Sequence, residues 1–190
     1  MNQSTYTESA ARSLSIWASA TKSQLLPPGP VASLLDDMKF ESLVLRLLEL
    51  DESEAAELER LSGYEGPSDR CPAGFYETLQ QVIRQLRLSK LFSRTYDGEY
   101  HRSICPAAYS ERTGEHYPEE MARWRTDYRA MTPEQQMMAA TIVWLYRYGA
   151  DSIWLRRVPC TWRASEALHY LHDAGCLPLW LRLIARYPGW

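Results

Sequence analysis

The sequence predicts a predominantly α fold, a compact bundle of about six to eight helices with room for one short β-hairpin near residues 95–105. Apolar residues recur every three or four positions over most of the chain, the spacing that aligns them on one side of a helix. A strong helix start stands at Thr132, and hydrophobic residues make up 45% of the 190 residues. That share is enough for a packed core.

Residues 1–30 are predicted to form an N-terminal arm. Ala10, Leu14 and Trp17 stand at helical spacing, so a short helix over about residues 8–20 is one interpretation and an unstructured arm is the other. The Pro-Pro-Gly-Pro segment at 27–30 ends any such helix and acts as a linker. Residues 31–131 and 132–190 follow, either as two helical regions or as one continuous domain.

Two helices are predicted next, over 31–50 and 53–62. The apolar face of the first consists of Leu34, Leu35, Met38, Val44, Leu45, Leu47 and Leu48. Asp51-Glu52-Ser53 interrupts that pattern. Ser53 is the predicted N-cap of the second helix, and Gly63 is its predicted end.

A third helix is predicted over 75–92, after a loop from Gly63 to Gly74. Its apolar face consists of Leu79, Val82, Ile83, Leu86 and Leu91. Four bases recur every three or four residues on the opposite side: Arg84, Arg87, Lys90 and Arg94. We expect them to form a solvated face, or to pair with the acidic residues of 49–59, in preference to contacting nucleic acid.

Residues 93–131 have the weakest periodicity. Asp97-Gly98 is a turn signal that predicts two short strands, and residues 101–118 are expected to be mostly loop. A helix is predicted over 118–130, because Met121, Trp124 and Tyr128 share a face.

The clearest helix start is Thr132-Pro133-Glu134-Gln135. Thr132 is a favourable N-cap, Pro133 suits the first helical position, and Gln135 can complete a capping box. The helix is predicted to end at Gly149 and to form the central core, because it is apolar nearly all round. A short helix over 151–157, a helix over 161–174, and a strand or last helix over 177–184 are predicted after it.

The segment from Val158 to Cys176 has an ordered pattern. A turn leads into a helix for which Thr161 and Ser165 are candidate starts, and Ala174-Gly175 ends it. Small residues followed by Leu-x-Tyr-Leu-x-x-Ala-Gly resemble the recognition-helix region of winged helix–turn–helix DNA-binding domains.

This resemblance covers residues 132–176 and implies a trihelical core that binds DNA. Its third helix would present Trp162, Arg163, Glu166 and His169 outward, with Arg156 and Arg157 just before it. Arginines at that end would meet phosphates or base edges. A winged domain also has a β-hairpin after this helix, whereas here only 14 residues follow Cys176 and they include Pro178 and Pro188.

The sequence has no spacing typical of an enzyme or a metal site. It contains no phosphate-binding loop, nucleophile elbow or dinucleotide fingerprint, so we predict no catalytic residue and no cofactor. His169, His172 and Cys176 are not spaced as in the usual zinc sites, so no metal is predicted. An enzyme whose Cys and His residues meet only in space is an alternative.

The four Cys residues have no C-x-x-C spacing, and the chain shows neither a signal peptide nor an apolar run of membrane-spanning length. These features predict a cytoplasmic protein with reduced thiols.

Negative charge is concentrated in one region. The net charge of −3 argues against a generally basic nucleic-acid binder, and residues 31–66 carry ten acids against three bases. The predicted partner-binding face consists of Asp36, Asp37, Glu41, Glu52, Glu54 and Glu57. Acidic helices can occupy a basic groove by imitating phosphate spacing.

The expected function is therefore non-enzymatic docking on a protein partner, part of a nucleic-acid-handling complex. This reading suits an inhibitor or accessory protein of a phage or mobile element, of the anti-CRISPR or anti-restriction type. The alternative is a DNA-binding regulator that uses Arg156, Arg157, Trp162 and Arg163.

Overall fold

The computed structural model describes residues 35–66, 68, 70–94, 98–110, 115–147 and 162–189, and their fold is predominantly α-helical. The α-helices are α1 (Phe40–Leu48), α2 (Glu52–Leu61), α3 (Pro72–Gln85), α4 (Pro118–Arg129), α5 (Pro133–Arg147), α6 (Ala164–Asp173) and α7 (Leu177–Ala185). The short strands are β1 (Phe92–Arg94), β2 (Ile104–Pro106), β3 (Tyr109–Ser110) and β4 (Glu115–His116), and a 3-10 helix covers Tyr100–Ser103. The predictions for 8–20 and 151–157 lie outside the described residues.

The helix predicted over 31–50 is interrupted at Met38 and Lys39. Lys39 adopts an extended conformation and forms an isolated antiparallel bridge with Arg163. The Phe40 N–H donates to the Trp162 carbonyl at 3.0 Å, and the Ala164 N–H donates to the Met38 carbonyl at 2.8 Å. The prediction was wrong here because these bonds to a distant segment replace helical ones.

The N-cap of α2 lies two residues before the predicted Ser53. Asp51 is the N-cap: its Oδ1 accepts the Glu54 N–H at 2.9 Å, and Glu54 Oε2 accepts the Asp51 N–H at 3.0 Å. This reciprocal capping box satisfies two backbone donors, so Asp51 outcompetes the predicted Ser53. Gly63 follows the end of the helix with a φ of 77°, as predicted.

Helix α3 starts earlier and ends earlier than predicted. Cys71 is its N-cap, with Sγ accepting the Gly74 N–H at 3.3 Å. The chain leaves the helix at Arg87, whose φ is 54°, and the Leu88 N–H donates to the Ile83 carbonyl at 2.8 Å. This is the bonding pattern of the Schellman motif, in which a helix ends at a residue in the left-handed conformation.

A short antiparallel hairpin is present, as expected. Strands β1 and β2 place Phe92 opposite Pro106 and Arg94 opposite Ile104, so the pairing lies just outside the predicted turn. The stretch predicted as loop over 101–118 instead contains the 3-10 helix, β2 and a second antiparallel pair, β3 with β4. Strands of two or three residues are too short to show a period of two in the sequence.

Helix α4 confirms its prediction, and so does α5 from its start to Arg147, whereas the predicted end at Gly149 lies outside the described residues. Met121, Trp124 and Tyr128 are buried, and the Trp124 Nε1–H donates to the Leu91 carbonyl at 2.8 Å. The Thr132 N–H donates to Gln135 Oε1 at 3.0 Å at the start of α5. Every residue of α5 from 137 to 145 is buried, so α5 is the central helix.

The C-terminal chain forms α6 and α7. Arg163, rather than Thr161 or Ser165, is the N-cap of α6, because its backbone is held in the bridge to Lys39. Gly175 ends α6 with a φ of 68°, as predicted. The last segment is a helix, and the Trp180 Nε1–H of α7 donates to Thr141 Oγ1 of α5 at 2.9 Å.

One buried apolar cluster extends from Leu35 to Tyr187 and takes residues from all seven α-helices. Phe40 connects the two ends of the chain within it, because its ring lies 5.7 Å from Trp144 and 5.6 Å from Trp180 between centroids. Residues before and after Thr132 therefore share a core.

Candidate functional site

An acidic corner, defined by Glu49, Asp51, Glu52 and Glu54, lies where α1 gives way to α2. Three of these residues are exposed, and Glu54 is partly buried. Residues 46–57 carry five acids and a single base, Arg46. Arg70 also lies at this bend, because its Nη1 donates to the Leu50 carbonyl at 2.8 Å. The corner is thus a surface cluster of four carboxylates with fewer bases than acids around it.

Two acids next to this corner form ion pairs with arginines of the same chain. Arg60 donates to Glu57 from Nε at 2.9 Å and from Nη2 at 2.5 Å, and this bond lowers the pKa of Glu57. Glu59 is buried and pairs with Arg186. These two acids of the 49–59 segment therefore pair with Arg60 and Arg186, and not with the bases of 84–94.

Asp36, Asp37 and Glu41 are placed at the opposite end of α1. Asp36 and Asp37 are exposed and Glu41 is partly buried. Helix α1 has nine residues, which separates this end from the acidic corner by about 13 Å. The predicted acidic face is therefore two groups and not one continuous surface.

Trp162 and Arg163, from the alternative site, lie beside that first acidic group. Trp162 is partly buried, and Arg163 is exposed. Arg163 Nη1 donates to the Asp37 carbonyl at 3.1 Å, and the Arg163 N–H lies 3.4 Å from Glu166 Oε2. Arg156 and Arg157 lie outside the described residues.

A buried ionic cluster joins α2, α3 and α7. Arg186 donates from Nε to Glu59 and from Nη1 to Thr78 Oγ1, the latter at 3.3 Å. Its Cζ lies 4.5 Å from the Tyr64 ring centroid, where cation–π attraction adds to the bond. Burial by itself lowers the pKa of Arg186, but the bond to Glu59, its negative charge and the interaction with Tyr64 together outweigh burial and raise the pKa above its ordinary value.

The helical spacing of Glu59 could have predicted its burial, although in the charge count it is only one of the ten acids of residues 31–66. Glu59 follows Ala55 by four residues and precedes Ser62 by three, and all three are buried. That spacing places Glu59 on the inner side of α2.

An apolar recess of about 260 Å³ opens between α3 and the β1–β2 hairpin. Its lining consists of Gln80, Ile83, Arg84, Ser89, Phe92, Ser93, Arg94 and Ile104. The basic strip is defined as Arg84, Arg87, Lys90 and Arg94, which are all exposed, and two of these bases, Arg84 and Arg94, line the recess. Only Arg84 belongs to the helix; the others lie in the following turns and β1, so the strip is not one helical face.

Two His residues of α6 lie at the surface beside an acid. His169 Nε2 and His172 Nδ1 both approach Asp173, at 3.3 and 3.2 Å. Within the described ranges, no group of three or more His, Cys, Asp or Glu side chains is placed to hold a metal ion. Burial, with Glu134 nearby, raises the pKa of the Cys176 thiol, the opposite of what a thiolate nucleophile needs.

Comparison with protein-family models, curated proteins and solved structures finds no match to this chain. Of the helices in the described part of the chain, none combines the length and apolarity needed to cross a bilayer.

Proposed function

We propose that this is a non-enzymatic binding protein that docks its acidic corner on a basic surface of a macromolecular partner. The partner class is a protein of a nucleic-acid-handling complex, whose basic groove the carboxylates occupy in place of phosphates. Such docking is the action of an inhibitor or accessory protein of a phage or mobile element, of the anti-CRISPR or anti-restriction type.

The observation that supports this function is the grouping of Glu49, Asp51 and Glu52 on the surface at a single bend of the chain. The bend is rigid, since the capping box holds the start of α2 and Leu47 and Leu50 are buried beside it. Carboxylates on a rigid element keep their spacing, which favours electrostatic complementarity over non-specific attraction.

Charge reversal at the corner tests the proposal. The variant Glu49→Lys/Glu52→Lys leaves the capping pair Asp51 and Glu54 intact. We expect its association with the partner, captured from the native host by the wild-type protein, to be at least about tenfold slower and less sensitive to salt. Association rates are measured by surface plasmon resonance over a range of salt concentrations.

The matched control is Glu119→Lys/Glu120→Lys. These two acids are exposed in the first turn of α4, as Glu52 is in the first turn of α2, so both variants change the net charge and a helix terminus alike. The control is expected to associate at the wild-type rate. Equal slowing by both variants would show that net charge, and not the acidic corner, governs association.

DNA binding by the C-terminal half is the second candidate, and the exposure of Arg163, Glu166 and His169 along α6 favours it. A gel shift on random duplex DNA at low salt separates the two functions. A regulator would shift the DNA with a steep dependence on salt, and Arg163→Ala would abolish that shift. If the protein acts through the acidic corner, Arg163→Ala is expected to leave any shift unchanged.

A further inference from the structure

The apolar recess has the construction of a small ligand site. Ile83, Phe92 and Ile104 supply apolar lining, while Arg84 and Arg94 lie at the same opening. Among the described residues that line it, none carries a carboxylate. A volume of about 260 Å³ is close to the lower limit of ligand pockets, so the recess suits one flat ring with an anionic group attached.

The surroundings extend this positive field in one direction. Residues 78–94 contain no Asp or Glu, and the basic strip runs along them from α3 into β1. Arg84 and Arg94 line the recess, and Arg87 and Lys90 lie in the turns between them, so the positive charge extends past the opening and exceeds what a single small anion requires. A chain of phosphates matches these bases, because each phosphate can take its own base.

An exposed aromatic ring stands beside the strip. Tyr100 is 50% exposed, and its ring lies 6.4 Å from that of Tyr76 between centroids. Arg94 donates from Nη2 to the Tyr76 hydroxyl, which ties this aromatic pair to the edge of the recess. Exposed Tyr rings next to arginines are the usual platforms for unpaired bases.

Arg87 is placed at a backbone position that favours glycine. Its φ is 54°, in the left-handed region that disfavours a side chain, yet the residue is an exposed arginine. An arginine here contributes charge to the strip at some loss of stability, the pattern expected where binding and stability compete.

We propose that the basic strip and the apolar recess bind single-stranded nucleic acid. One base enters the recess against Phe92, its flanking phosphates contact Arg84 and Arg94, and a neighbouring base stacks on Tyr100. This site shares no residue with the acidic corner. A negative result for nucleic-acid binding therefore leaves the proposed docking function untouched, and a negative result for docking leaves this proposal untouched.

The test uses fluorescence anisotropy of the full-length protein with a labelled oligothymidine of about 12 nucleotides. Competitors are an abasic phosphodiester of the same length, a duplex of the same length and a tyrosine-phosphorylated acidic peptide. We expect the oligothymidine to bind with an affinity that falls with salt, and the abasic chain to bind about tenfold more weakly because it has no base to insert.

Two variants assign the binding to the strip. Arg84→Ala/Arg94→Ala is expected to lower the affinity about tenfold or more and to reduce the salt dependence by about one to two phosphate contacts. Lys39→Ala, which removes an exposed base just before α1, is expected to change the affinity less than about twofold. Arg87→Gly is expected to weaken binding while keeping or raising the midpoint of urea denaturation, since glycine relieves the left-handed backbone.

The outcomes are decisive in both directions. Binding that prefers oligothymidine and is lost in Arg84→Ala/Arg94→Ala, with Arg87→Gly folded and weakened, supports the site. Equal binding of the abasic chain or the duplex overturns base insertion. Stronger binding of the phosphopeptide, or equal loss in Lys39→Ala, overturns the nucleic-acid assignment.

Discussion

At the scale of single residues, the pair Glu59–Arg186 is a buried ion pair that is sensitive to the loss of either partner. Both side chains are buried, and Glu59 Oε2 has no hydrogen-bond partner among the described atoms. Removing one buried charge leaves the other uncompensated, so Arg186→Met is expected to lower the free energy of unfolding by about 3–5 kcal/mol. Urea denaturation followed by circular dichroism measures the change.

The double variant Glu59→Leu/Arg186→Met serves as the control. Apolar residues of similar volume avoid the buried charge altogether, so most of the lost stability is expected to return. If the double variant is as unstable as the sum of its single changes, the two side chains do not interact.

His101 connects stability to pH. It is 3% exposed, with its ring 5.3 Å from that of Phe75 between centroids, and burial lowers its pKa below the ordinary value. On acidification the unfolded chain therefore takes up this proton first. Stability is fully present above about pH 6.5, the unfolded value, and is lost as the pH falls towards the folded pKa.

The measurement compares the free energy of unfolding at about pH 7.5 and about pH 5.5. His101→Gln is expected to show a smaller difference between the two than the wild type. A wild-type difference in His101→Gln would assign the pH dependence to other groups.

At the scale of elements, two variants at the start of α2 test whether Asp51 or the predicted Ser53 is the N-cap. Asp51→Ala removes the acceptor for the Glu54 N–H and is expected to lower the free energy of unfolding by about 0.5–2 kcal/mol. Ser53→Ala lies inside the helix and is exposed, so it is expected to change stability by less than about 0.5 kcal/mol. Chemical denaturation of both variants tests this, and the reverse ranking would restore Ser53 as the cap.

Elements whose signals are local were the ones predicted well. The start of α5 depends on Thr132 and Gln135, three residues apart, and the buried side of α4 on Met121, Trp124 and Tyr128 within two turns. The end of α3 was predicted wrongly for two reasons. The left-handed position after the helix holds Arg87, where glycine is the usual sequence signal, and the chain beyond it pairs Phe92 with the distant Pro106.

At the scale of the whole molecule, the shared core predicts cooperative unfolding. Trp144 is 3% exposed and packs edge-on against Phe40 of α1. Trp144→Ala is expected to lower the free energy of unfolding by about 3–5 kcal/mol, as large-to-small changes in cores do. Far-ultraviolet circular dichroism and tryptophan fluorescence are expected to give one coincident transition.

Tyr170→Ala is the matched control, because this ring on α6 is 43% exposed. It is expected to stay near wild-type stability. Wild-type stability in Trp144→Ala would contradict the central position of α5, and two separate transitions would show that the chain before and after Thr132 unfolds independently.

The sequence by itself determined the helical class, the central helix and many of the buried apolar residues. Periodicity and capping act within one or two turns, where the chain needs no distant partner to express its preference. Leu79, Val82, Met121 and Trp124 were assigned to apolar helix faces for this reason, and all four are buried.

Only the tertiary structure decided the break at Lys39, the pairing of Glu59 with Arg186, and the recess beside the basic strip. Each depends on groups far apart in sequence: Lys39 meets Arg163, Glu59 meets Arg186, and Ile83 shares its recess with Ile104. Local patterns place a charge or an apolar side chain on a face. Which other face covers it follows from packing, because burial is favourable only once a distant segment supplies the matching bonds and surface.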